Sequence, residues 1–383
     1  MERLSKKLGA VVLSLLLCTA CTRPEGASAS EEATVQAYES PEELYQKALK
    51  EDVLIVYTVS TRLVQTKESF EAAYPGLSVE VRDLRSPSLI EAVEADHAKG
   101  LSECDVVLCN DNSGEFQKRL VDTGLVRPYL PEDIASHMKE GMDEESVSFL
   151  MEAEMLFYNS ALYDSCPVSN LWELTEERFR GRIYMPNPLN SFATYALCGA
   201  VMQQDETLAE AYRLYTGGEL SLSEGETVSE HFWKEAAANI VFTNSSDEVL
   251  EALGDGEADL GICVSSKLRY RDLGYSIEPV WKLTPFSGCR TSYAVMMAAE
   301  PKNENTAKLF IRYLFGEADG KGEGYTPFCS AGTWSVREDV ADGSDVPLSD
   351  TDFIAVDQKA LIGDREHMES FWSQLIRESG NTQ

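Results

Sequence analysis

The chain has 383 residues, 43% of them apolar, and carries 65 Asp and Glu against 33 Lys and Arg, a formal net charge of −32 at pH 7. A protein this acidic repels phosphate backbones, which excludes nucleic acid as a partner. Its length exceeds one ordinary core and suits two lobes.

The N-terminal stretch MERLSKKLGAVVLSLLLCTAC sets Arg3, Lys6 and Lys7 before an apolar run from Leu8 to Leu17, the charge order of an export signal. That run is too short to span a bilayer. Thr19 and Ala20 precede Cys21, and small residues before a cysteine suit the narrow pocket of a lipoprotein signal peptidase. Residues 1–20 are thus expected to be a lipoprotein signal peptide and Cys21 the lipidated N-terminus, although Cys18 stands where the bacterial lipobox usually has Leu. Residues 21–39, rich in Ala, Ser, Glu and Thr without apolar periodicity, read as a flexible tether.

The folded body is expected to begin near Ser40. After an amphipathic helix at PEELYQKALKE, the continuous apolar run VLIVYT (53–58) predicts a strand buried on both faces, hence a parallel sheet. Leu63, Thr66, Phe70 and Ala73 recur at helical spacing up to Pro75 and Gly76. LSVEVRDL (77–84), the helix opened by Ser86 and Pro87, and CDVVLCN (104–110) complete a βαβαβ unit. A second set follows: a strand at 181–187, a helix from about Ser191 to Gln204, a strand at 240–244, a helix at SSDEVLEALGDG and a strand at 258–264. Between the sets SFLMEAEMLFYNSALY predicts a strand crossing from one lobe to the other, and TSYAVMMAAE (291–300) its return. The expected lobes are residues 40–150 with 291–383, and residues 151–290.

Seven cysteines follow Cys21, at 104, 109, 166, 198, 263, 289 and 329. Several sit in apolar segments, where cysteine behaves as a small hydrophobe, and they read as buried thiols rather than a disulfide framework. Among these seven no CxxC or Cys/His cluster suggests zinc.

The stretches ALKEDVLIVYTVSTR, ESFEAAYPGLSVEVRDL, CDVVLCNDN, GLVRPYLP, YMPNPLNSFATY, FTNSSDEVLEALGDGEADLGI and PKNENTAKLFIRYLF resemble, in order and spacing over residues 45–316, the type II periplasmic binding proteins grouped with ferric-iron transport. The resemblance implies an α/β, two-lobed fold with a two-strand hinge and an interlobe cleft, and an extracytoplasmic receptor that hands a small ligand to the permease of an ABC importer. With the leader it implies a protein held to the membrane by a lipid.

In such a fold ligand meets the loops after the carboxyl ends of strands. Those positions hold Thr58, Ser60, Thr61 and Arg62; Arg85 and Ser86; Asn110, Asp111 and Asn112; then Asn187, Asn190, Ser191, Phe192, Asn244 and Ser265 in the second set. Tyr158 follows the crossing strand and is a candidate ligand contact at the hinge. Hydroxyls at helix starts either cap the helix or leave N–H groups free for an anion. The cleft therefore reads as rich in hydroxyls and amides, with arginines rather than carboxylates as its charged groups. Trp334, in GYTPFCSAGTWSVREDV, is a further residue expected near the cleft rim.

Family members that hold bare ferric ion commonly use adjacent tyrosines where this chain has Val264, Ser265 and Ser266, and some place His or Tyr where it reads Thr61, Arg62, Leu63. The expected ligand is accordingly a small anionic solute or an iron chelate, with no metal site and no cofactor. A ferric-iron receptor and a ligand sensor for a membrane signalling protein are the alternatives. An enzyme is disfavoured: the four histidines, at 97, 137, 231 and 367, form no metal-protease pattern, and no nucleophile elbow, phosphate loop or dinucleotide glycine motif is present.

Overall fold

The computed structural model describes residues 39–101, 103–110, 112–142, 146–316 and 322–380. The expected leader, Cys21 and the tether up to residue 38 lie outside the described residues.

The first part runs α1 (Pro41–Ala48), β1 (Leu54–Thr58), α2 (Leu63–Ala73), β2 (Val79–Asp83), α3 (Ser86–Ala98), β3 (Val106–Asn110), β4 (Val126–Arg127) and α4 (Glu132–Ala135). Ser40 and Glu43 form a capping box that starts α1. Strand β5 (Ser148–Asn159) leads into β6 (Ile183–Pro186), α5 (Phe192–Met202), α6 (Asp205–Thr216), α7 (Val228–Ala237), β7 (Ile240–Thr243), α8 (Ser246–Gly254), β8 (Leu260–Val264) and β9 (Ile277–Pro279). Strand β10 (Gly288–Ala298) returns, followed by α9 (Glu304–Phe315), β11 (Trp334–Ser335), β12 (Phe353–Ile354), α10 (Gln358–Gly363) and α11 (Arg365–Ser379).

One sheet runs through the body in the order β2-β1-β3-β10-β5-β8-β6-β7. β1 is parallel to β2 and β3, and β6 is parallel to β7 and β8, the parallel arrangements that the apolar strand runs predict. Between them β5 and β10 run antiparallel, from Gly288 opposite Met155 to Tyr293 opposite Leu150, with a register shift between Tyr293 and Ala294. These two strands serve both lobes. Phe149 and Leu150 of β5 and Tyr293 to Met297 of β10 lie in the first core, whereas Leu156 and Cys289 lie in the second.

The first core gathers Leu44 to Leu150 and Tyr293 to Val340; around Phe149, the rings of Phe315, Tyr325 and Phe328 pack edge-on at 4.8–5.7 Å. The second core takes Leu156 to Cys289 and, against the expected boundary, Leu361, Met368, Trp372, Leu375 and Ile376. Residues 291–383 therefore do not all belong to the first lobe. The cause is Trp372, whose fully buried ring meets Trp233 at 5.0 Å and Phe242 at 6.3 Å, two residues of the second set. The seven described cysteines are free, five of them buried. Among the described residues no helix is long and apolar enough to cross a membrane.

Candidate functional site

The carboxyl ends of β1, β2 and β3 face those of β6, β7 and β8 across a cavity of about 370 Å³, with β5 and β10 as its floor. The topology supplies this geometry, since strands that are parallel within each set deliver all their following loops to one end.

After β1, Ser60, Thr61 and Arg62 line the cavity. Thr58 does not: it is fully buried and its Oγ1 accepts the Ser60 N–H at 3.0 Å, fixing the turn. Arg62 is 93% buried and donates through Nη2 to Glu152 Oε1 at 2.6 Å, with its guanidinium 4.8 Å from the centre of the Phe328 ring. Burial opposes its charge, but Glu152 and Tyr293 outweigh burial and hold its pKa above the ordinary arginine range.

After β2 the cavity is lined by Asp83, Leu84, Arg85 and Ser86. Arg85 occupies the N-cap of α3, and no side chain caps that helix. Arg85 is exposed and makes no ion pair among the described residues. Burial and then the charge of Asp247 raise the pKa of Asp83. Asn110 lines the cavity and accepts the Ser86 hydroxyl at 3.1 Å. Asn112 turns away and clamps the backbone of Ser292, accepting its N–H at 2.8 Å. Asp111 lies outside the described residues.

From the second lobe come Asn190, Ser191, Asn244, Ser245, Ser246, Asp247, Val264, Ser266, Lys267 and Arg269. Ser191 and Ser245 cap their helices, accepting Thr194 N–H and Glu248 N–H at 3.3 Å each, so α5 and α8 have their first donors partly occupied. Asn187 shapes a turn, accepting the Leu189 N–H at 2.9 Å, and Phe192 points into the first core. Ser265 is sealed off: its Oγ accepts from Ala153 N–H at 2.9 Å and donates to the Gly332 carbonyl. Gly332 has φ +81°, and a Cβ there would stand 2.1 Å from the Ser265 carbonyl oxygen, so only glycine fits this approach. Tyr158 pairs with β8 and β9 and packs beside the second core, off the cavity, and Trp334 pairs with Met151 as a buried core residue. Two cations of the second lobe are also engaged. Lys267 pairs with Asp247, and Arg269 donates to the Ser266 carbonyl at 2.6 Å.

The floor corrects the expected charge pattern. Glu152 and Glu154, alternate residues of β5 and so on one face of it, line the cavity together with Thr291 and Tyr293 of β10. With Asp83 and Asp247 they make four carboxylates beside Arg62, Arg85, Lys267 and Arg269. Glu154 accepts the Thr194 hydroxyl at 2.6 Å; burial pushes its pKa up to about 7, the Thr194 bond opposing and the Glu152 charge adding to the rise. Sequence reasoning passed over the two glutamates, although acidic residues inside the otherwise apolar run SFLMEAEMLFY are a signal in themselves. Among the described residues no group of three or more His, Cys, Asp and Glu is placed to hold a metal ion.

A family model described as bacterial extracellular solute-binding protein matches residues 54–320. The fold is similar to that of the periplasmic binding protein AfuA from Actinobacillus pleuropneumoniae, solved with exogenous fructose-6-phosphate (TM-score 0.64, 17% identity, 85% of this chain and 99% of that chain). It is also similar to a substrate binding protein of an ABC transporter from Agrobacterium tumefaciens (0.63, 15%, 85% and 94%) and to iron-bound HitA from Pseudomonas aeruginosa (0.60, 15%, 85% and 99%). Identities this low speak for the type II periplasmic-binding-protein fold alone. No curated protein matches the chain by sequence. With the model covering most of the body, and two α/β lobes joined by two strands over a polar cleft, the chain belongs to the bacterial extracellular solute-binding protein family.

Proposed function

We propose that this chain is the extracytoplasmic receptor of an ABC importer, held to the membrane through a lipid on Cys21, and that it delivers a small anionic solute to the permease rather than catalysing a reaction. The observation that carries the ligand class is the start of α3: a helix N-terminus opening on the cavity without a side-chain cap, with Arg85 beside it free of any ion pair among the described residues. Uncapped N–H groups and a guanidinium together form an anion site. The rest of the cleft's charge supports this reading. Glu152 and Asp247 are spent on Arg62 and Lys267, which leaves Arg85 and Arg269 beside Asp83 and Glu154, two carboxyls that burial pushes toward their neutral form.

The ligands named for similar structures, fructose-6-phosphate and iron, mark the two classes to separate. Thermal unfolding of the purified body with fructose 6-phosphate, inorganic phosphate or ferric citrate makes the test. Stabilisation by the phosphates that Arg85→Ala reduces about tenfold in apparent affinity is the expected result. A visible charge-transfer band on adding ferric ion, abolished by changing a tyrosine, would overturn it.

A further inference from the structure

We propose that the buried Arg62–Glu152 pair recognises a hydroxyl group of the solute, so that the ligand is an anionic polyol of the sugar-phosphate kind rather than a bare oxyanion, an amine or an alkyl anion. This deepens the anion reading above and rests on it.

Arg62 and Glu152 come from different elements, α2's N-cap and β5, and meet at the floor of the cavity, where both line its wall. One bond joins them, Nη2 to Oε1 at 2.6 Å. Arg62 Nη1 and Glu152 Oε2 are buried and have no hydrogen-bond partner. The Tyr293 side chain lies within hydrogen-bonding reach of the guanidinium and helps hold its charge, but it is not aligned to bond Nη1. A buried ion pair with one donor and one acceptor left over is costly until both are satisfied.

The chemistry of what would satisfy them is restrictive. An ammonium group donates to Oε2 but leaves Nη1 without an acceptor and adds a second cation beside the guanidinium. A phosphate or carboxylate accepts from Nη1 but meets the charge of Glu152. A hydroxyl does both, accepting from Nη1 and donating to Oε2. Glu154, on the same face of β5, and Thr291, directly opposite Glu152 on β10, place a further carboxyl and a hydroxyl on the same floor. The two ends of the cleft thereby differ: anion donors at α3 and Arg85, hydroxyl partners at the hinge.

Calorimetric titration of the mature protein with glucose 6-phosphate, hexyl phosphate and inorganic phosphate tests this. Glucose 6-phosphate is expected to bind at least tenfold more tightly than hexyl phosphate, which has a similar reach and no hydroxyls. Replacing both partners, Arg62→Met with Glu152→Met, removes the pair without stranding a charge and is expected to abolish that preference while hexyl phosphate still binds. Should that variant not fold, Glu152→Gln, which swaps the spare acceptor for a donor, is expected to reduce it several-fold. Equal or tighter binding of hexyl phosphate by the parent, or a preference that survives in the variants, overturns the proposal and leaves the anion reading standing. No binding of any of the three overturns both.

Discussion

Arg365, at the start of α11, forms an ion pair with Glu115, the neighbour of Phe116 in the first core, although α11 itself is packed into the second. Arg119 stands 3.7 Å from the same carboxylate. One turn earlier Ile362 of α10 lies against Gly114, where φ is +73° and a Cβ would come within 2.5 Å of the isoleucine side chain. The C-terminal segment is therefore anchored on one lobe and touches the other through a few side chains. Opening the cleft would separate them. Arg365→Ala is expected to raise the radius of gyration of the ligand-free protein in solution scattering and to cost roughly 1 kcal/mol or more, since it leaves the buried Glu115 carboxylate with Arg119 alone nearby. A scattering curve identical to the parent's would refute this role.

Glu154 predicts a pH dependence of stability. Its carboxyl titrates near its ordinary value of 4.5 when the chain is unfolded and at about 7 when folded, because burial disfavours the charge. Between those values the folded state holds the extra proton, so stability is greatest below 4.5, falls as pH rises to 7 and is level above. Urea unfolding at pH 5 and pH 8 should show the parent losing roughly 2–3 kcal/mol relative to Glu154→Gln over that interval. Parallel behaviour of the two proteins would count against a buried, protonated Glu154.

Trp372→Ala should open a cavity between α7 and α11 and destabilise the body by about 3–5 kcal/mol in equilibrium unfolding. Trp372→Phe should cost less, since the indole Nε1 has no partner to lose. If removing the ring costs under about 1 kcal/mol, α11 is an appendage and not part of the second core.

Cys21→Ala should block lipoprotein processing and eliminate incorporation of a fatty-acid analogue, given the small residues Thr19 and Ala20 before it. Equal labelling of variant and parent would remove the anchor from the proposed function.

What could be read from the chain depended on how far the cause lay from its effect. The strands at VLIVYT, CDVVLCN and ADLGICV were legible because a strand covered on both faces must be apolar throughout, and the structure has them at 54–58, 106–110 and 260–264. Helices α6, α7 and α11 were not, because their partners arrive from distant segments; Trp372 finds its place only when Trp233 does. The cleft shows the same division. Ser60, Thr61, Arg62, Arg85, Asn110, Asn190, Ser191 and Asn244 line it, as their positions after strands imply. Yet Phe192 and Ser265, immediate neighbours of lining residues, face the other way, since adjacent residues at a turn diverge. Arg62's partner stands 90 positions along the chain, so nothing local distinguishes a ligand-binding arginine from a neutralised one.

The paired run of β5 and β10 makes the connection between lobes a ribbon and not a pair of loose cords. Their ladder is continuous from Gly288 and Met155 to Tyr293 and Leu150 and changes register only beside Tyr293, at the cavity floor. A bonded ribbon yields by twisting, and a local irregularity is where it twists most readily. A twist of this kind would part the lobes with the main-chain hydrogen bonds of this ladder intact. In the proposed receptor the work of closing would fall to the side chains that meet in the cleft, so selectivity and closure would be the same event: a solute that satisfies the floor would bring the walls together, and one that does not would leave them apart.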